Sequence, residues 1–211
     1  MFQTPAEEIA AELKGELGSV SVEAAVKQLP AVPTVEEVFA LMRAPQDDRD
    51  RLVIRLFYAT GVRTAELANV RFADLFWDDL LIFVRLGKES KDRYVGADSH
   101  TFKLLASHAE GKPLDELVCG VGSRELERIV HRYADEIGLV AKYEAMERTF
   151  SPDSLRHAYA THCYDGGMDL LALKKLMGHQ FLTTTEIYVQ TSMRRTMEEY
   201  RKAHPLGHTH T

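Results

Sequence analysis

The sequence predicts an α+β fold, mostly α, with a small antiparallel three-stranded sheet. Three observations carry this. Apolar residues recur at helical spacing through most of the chain. The period changes at residue 70, where VRFADLF, LLIFVRL and DRYVGAD bring alternating, β-rich runs. A Gly87-Lys-Glu-Ser-Lys-Asp92 turn then joins the last two runs into a hairpin. The chain has 211 residues, enough for one domain or one domain with a small appendage. Its 45% hydrophobic and 27% charged residues exclude a wholly disordered or collagen-like chain.

The elements follow in order. Residues 6–17 read as a short helix with Ile9, Leu13 and Leu17 on one face, weakened by Gly15 and Gly18. Pro30 and Pro33 follow, so residues 1–32 form an acidic extension or linker and 33–211 the main domain. Thr34 and Glu37 have the spacing of a capping box, which opens a helix at about residue 35. A second helix spans about 47–59, with Leu52, Val53, Leu56 and Phe57 at helical spacing. Gly61 ends it, and TAELANV begins a short helix capped by Thr64. Beyond the hairpin the pattern is helical over 100–110, 122–137, 153–165, 169–177, 181–188 and 192–203. The tail HPLGHTHT is polar and carries Pro and Gly, so it should fray.

No uncharged apolar run approaches the length of a membrane span. The N-terminal stretch lacks a basic segment followed by an apolar one, so no secretory signal is visible. Cys119 and Cys163 are far apart and form no CxxC, which fits a reducing cytoplasm. The net charge is −6, but residues 1–50 hold ten acids against four Lys or Arg. The remainder is balanced and carries all nine histidines, so a basic face is compatible with the composition.

Four islands carry chemistry. In ATGVRTAEL (59–67), Arg63 stands at a helix start with Glu66 three residues later. This is a surface ion pair or an arginine fork presented to a phosphate. GKESKDR (87–93) is either a solvated hairpin tip or a mobile turn that can bring a lysine into a groove. In SPDSLRHAYATH (151–162), Ser151 or Asp153 caps a helix with Pro152 in its first turn. Asp153 and Arg156 lie three residues apart, on one face. LMGH (176–179) and TTTEIY (183–188) bring a Gly-His pair and a tyrosine nine residues after the histidine.

Each island has an ordinary structural reading, but their order and spacing form a pattern. The chain resembles the tyrosine recombinases of the phage integrase and Xer type over about residues 33–206. The resemblance implies a helical catalytic domain that binds double-stranded DNA. It implies cleavage and rejoining through a 3′-phosphotyrosyl intermediate, with no cofactor, metal or ATP. Tyr188 matches the nucleophile, and Arg63 and Arg156 match the phosphate clamp. Lys88 matches the hairpin general acid, with Lys91 as the fallback. His179 matches the phosphate-bonding histidine, and Glu66 matches the acid supporting the first arginine. The resemblance further implies a tetrameric synapse on DNA, with the helix at 192–203 docking into a neighbouring subunit.

Two departures stand out. The family's His-x-x-Arg motif has Asp153 in place of its histidine. Asp153 could brace Arg156 or Arg63, with His157 or a water replacing the histidine. It could serve as a base for Tyr188, or activity could be reduced. The family's N-terminal core-binding domain has no counterpart in residues 1–32, so DNA affinity of the isolated chain should be weak. Two other readings are a non-catalytic DNA-binding module of the same fold and a DNA-relaxing enzyme of type IB topoisomerase character. A metal site is not expected, because His157 and His162 are five residues apart where a helix favours four.

Overall fold

The computed structural model describes residues 31–85 and 92–178, which contain eight α-helices and one three-stranded sheet. The first helix, α1 (Val35–Arg43), opens with the capping box its sequence predicts. Glu37 N–H donates to Thr34 Oγ1 at 3.2 Å, and Thr34 N–H donates to Glu37 Oε2 at 2.8 Å. Helix α2 (Asp48–Thr60) is capped by Asp47 and stopped by Gly61, whose backbone is left-handed at φ 61°.

The short helix α3 (Thr64–Leu67) starts one residue earlier than its sequence suggests. Arg63, not Thr64, occupies the cap position, and its N–H is taken by Glu66. A second correction concerns VRFADLF. Only Leu75–Phe76 forms a strand, β1; Phe72–Asp74 is a 3₁₀ turn. The buried Asp74 carboxylate accepts the Arg71 N–H at 2.9 Å, which bends the chain before it can extend. Strand β1 pairs antiparallel with β2 (Leu81–Val84), and β2 pairs with β3 (Arg93–Gly96), with Val84 opposite Arg93.

Helices α4 (Ser99–Ala109) and α5 (Ser123–Glu136) follow the predicted segments. Helix α6 (Leu139–Ala145) was not expected. Gly138, at φ 78°, breaks the chain away from α5, and seven residues are too few to show a periodic stripe. Burial of Leu139, Val140 and Tyr143 holds α6 in place. Helices α7 (Pro152–Asp165) and α8 (Leu170–Met177) complete the described chain. Ser151, not Asp153, is the N-cap of α7.

Helix α2 is the axis of the core. Leu52, Val53, Ile54, Leu56 and Phe57 are buried, and α1, α4, α5 and α7 pack around it. One buried charge on α2, Asp50, is met by Arg49 at 2.9 Å and by the Tyr133 hydroxyl at 3.2 Å. A second cluster, formed by Tyr159, Ala160, Tyr164, Leu173 and Met177, joins α7 to α8. The side chains of Arg93 and Arg156 join the Gly61–Glu66 turn, the start of β3, the interior of α7 and the end of α8.

Candidate active site

Arg63 and Arg156 reach this region from elements far apart in sequence, and differ in exposure. The Arg63 side chain is 46% exposed, whereas Arg156 is 5% exposed. Glu66 holds Arg63 through its backbone N–H at 2.9 Å and through Nη1 at 3.4 Å. Arg156 is tied to backbone carbonyls: Nη1 donates to Gly61 O, 95 residues away in sequence, and Nη2 donates to Met177 O at 2.7 Å.

The turn between α2 and α3 therefore carries one arginine and receives the other. Gly61 makes this possible. A Cβ there would lie 2.3 Å from Cδ1 of the Tyr159 ring, and its positive φ disfavours any side chain.

Glu66 is 6% exposed and sits among arginines. Burial pushes its carboxyl up. Hydrogen bonds from Arg93 and the Arg63 N–H, with the charges of Arg93 and Arg156, outweigh burial and hold it below the ordinary carboxylate range. Arg93 is the residue the sequence reading missed. It is 8% exposed and grips Glu66 with two N–H donors, Nη2 at 2.8 Å and Nη1 at 3.1 Å, while Nε donates to Leu176 O at 2.6 Å. A signal existed: Arg93 alternates in β3 with the fully buried Val95, so a charge stands at an inward-facing position.

Asp153 stands in the first turn of α7, three residues before Arg156. It is exposed, and its carboxylate makes no hydrogen bond or ion pair among the described residues. Glu66 bonds Arg63, and the carbonyls of Gly61 and Met177 accept from Arg156. Asp153 does act on its neighbour His157. Burial lowers the His157 pKa, the Asp153 charge opposes that shift, and Arg156 adds to it.

Asp153 also lines a cavity of about 530 Å³ between the start of α7 and the polar face of α5. Arg124, Arg128 and His131 line it on the α5 side, and Glu127 is its other acid. Thr64, next to Arg63, reaches the same cavity. Lys88, Lys91, His179, Tyr188 and the segments at 6–17, 181–188 and 192–203 lie outside the described residues. No group of His, Cys, Asp and Glu suited to a metal occurs among the described residues.

The model of the Phage integrase family matches residues 32–195. The chain belongs to the phage integrase family. This integrase-family chain is 32% identical over 211 residues to Tyrosine recombinase XerC of Syntrophus aciditrophicus (strain SB), covering 90% of this chain and 66% of that protein. Over 165 residues it is 38% identical to Tyrosine recombinase XerC of Corynebacterium glutamicum, covering 74% of this chain and 51% of that one. It thus spans about half to two thirds of the length of these curated relatives.

Among solved structures, the crystal structure of XerA recombinase aligns with a TM-score of 0.69 and 24% identity, over 84% of this chain and 65% of that one. The catalytic domain of bacteriophage HP1 integrase aligns with a TM-score of 0.62 and 21% identity, over 86% of this chain and 99% of that domain. These likenesses place the fold of this integrase-family chain with integrase catalytic domains. No described helix is long and apolar enough to cross a membrane.

Proposed function

We propose that this chain is the strand-cleaving part of a site-specific DNA recombinase, with residues 33–211 as its catalytic unit. The observation that carries the reading is the convergence of Arg63 and Arg156 on the Gly61–Glu66 turn, beside a cavity lined by Arg124, Arg128 and His131. Each Nη of a guanidinium carries a second N–H beyond those Arg156 gives to the Gly61 and Met177 carbonyls, and such donors suit the non-bridging oxygens of a phosphodiester. Cations along an adjoining helix suit the backbone of a duplex.

In the proposed step the Tyr188 hydroxyl passes its proton to a base, His157 or a water, and its oxygen attacks the scissile phosphorus. The bond to the 5′-oxygen breaks, and Lys88 gives that oxygen a proton. A 3′-phosphotyrosyl ester remains. The 5′-hydroxyl of the incoming strand then attacks this ester and releases the tyrosine. Arg63, Arg156 and His179 offset the charge that develops on the phosphorus oxygens. The ester retains the energy of the broken bond, so the cycle calls for no ATP. The guanidinium groups supply the charge a metal would otherwise bring. Assembly into a tetrameric synapse through residues 192–203, on DNA and from a monomer in solution, belongs to the same proposal. So does a cytoplasmic location.

The test is incubation with negatively supercoiled plasmid in EDTA, followed by a detergent quench. A covalent protein–DNA adduct and relaxation are expected, and both should vanish in Tyr188→Phe. An adduct that survives Tyr188→Phe overturns the assigned nucleophile. DNA binding without any adduct would favour the non-catalytic module, and relaxation without recombinant products would favour topoisomerase character.

A further inference from the structure

Arg93 is a buried charge, and a buried guanidinium is stable only when its donors are satisfied. Its Nε and both Nη atoms are spent inside the fold, on two elements of the site. On one side is Glu66, which holds Arg63. On the other is the last turn of α8, whose carbonyls lack helical donors and carry the negative end of the helix dipole. The Leu176 carbonyl takes Arg93, and the next carbonyl, Met177, takes Arg156.

The contacts close a ring. It runs from Arg63 to Glu66, Arg93, the end of α8, Arg156 and Gly61, two residues before Arg63. Gly178 is shaped to this ring as well. Its φ is 66°, and a Cβ there would lie 2.9 Å from Arg93 Nη1.

We propose that Arg93 is a positioning residue of the cleavage site, whose guanidinium locks the Glu66–Arg63 pair to the end of α8 that also holds Arg156. This rests on the recombinase reading for its consequence, though not for its geometry. A lysine would keep the charge, but a single ammonium at the end of a flexible stem cannot replace the guanidinium fork that spans the Glu66 carboxylate and Leu176 O together.

The experiment compares the full chain with Arg93→Lys in two readouts. In hydrogen exchange, Arg93→Lys should speed exchange by about tenfold or more in peptides covering 61–67 and 170–178, with the α2 core unchanged. On supercoiled plasmid, the adduct-forming rate at saturating DNA should fall by about tenfold or more, with the apparent Kd within about twofold. Exchange that is unaltered in those peptides, or altered uniformly, overturns the proposal. So does a wild-type cleavage rate, or a loss that tracks DNA affinity.

Should the lysine variant fail to fold, Glu66→Met/Arg93→Met removes both partners of the buried pair together, leaving only the half-exposed Arg63 without its carboxylate. A folded double variant with wild-type exchange or wild-type cleavage overturns the proposal equally. If the wild-type chain forms no adduct, the recombinase reading fails, while the exchange data still decide what Arg93 holds.

Discussion

Gly61 is the residue on which both arginines depend. It sits at a left-handed φ, its face is covered by the Tyr159 ring, and its carbonyl receives Arg156. Gly61→Ala adds a methyl 2.3 Å from that ring at a conformation alanine resists. The expected cost is about 1–3 kcal/mol in urea unfolding. A variant with the wild-type midpoint would mean that the turn tolerates rearrangement. Asp153 offers the opposite case. It is exposed and makes no hydrogen bond or ion pair among the described residues, so Asp153→His should change stability by no more than about 0.5 kcal/mol. It removes a negative charge from a cavity lined by Arg124, Arg128 and His131, so duplex affinity should rise. Fluorescence anisotropy on a short duplex reads the direction, and weaker binding would assign the carboxylate a positive role.

At the scale of elements, α5 divides its labour by face. Leu126, Ile129, Val130, Tyr133 and Ala134 are buried, which leaves Arg124, Arg128 and His131 on the cavity side. If this face meets DNA phosphates, each cation neutralises about one of them. The double variant Arg124→Ala/Arg128→Ala should then flatten the slope of log K against log salt by about 2. Its melting temperature should hold, because both side chains are exposed and the only ion pair either makes among the described residues is Arg128 with Glu125. An unchanged salt slope would move the DNA path off α5. Helix α1 is held at its start by the Thr34–Glu37 box, so Thr34→Ala should cost about 1 kcal/mol by the same unfolding measurement.

Over the whole molecule, several depressed pKa values make stability depend on pH. Burial is the largest cause for His108, His157 and His162, and each is held below the ordinary imidazole value of 6.5. Their folded forms bind protons less readily than the unfolded chain does. The stability they allow is complete above pH 6.5 and declines as the pH falls below it. Asp98 adds a lower step. Burial raises its carboxyl, but hydrogen bonds from Thr101 and Arg55 overcome this and hold it at about 2, against 3.8 ordinarily. Its contribution is present above 3.8 and is lost as the pH falls through about 2. Thermal melts between pH 8 and pH 2 should decline in those two windows. A level melting temperature from pH 7.5 to pH 5 would contradict the histidine assignment.

Local patterns made much of this protein legible from its residues alone. The Thr34–Glu37 box, the stripe of α5, the Pro152 start of α7 and the period change at residue 70 each act within a few residues, so spacing reports them. The order of the arginine, lysine and tyrosine islands was legible for the same reason, and it pointed to the family. Helix α6 was too short to show a period, and VRFADLF was bent by a side-chain bond that its alternation does not reveal. What only the tertiary structure decided is how the site is held. Arg93 finds Glu66 27 residues away and Leu176 83 residues away, and Arg156 finds Gly61 across 95. Such partners are set by which elements pack together, and no spacing rule along the chain encodes a hydrogen bond to a backbone carbonyl on another element.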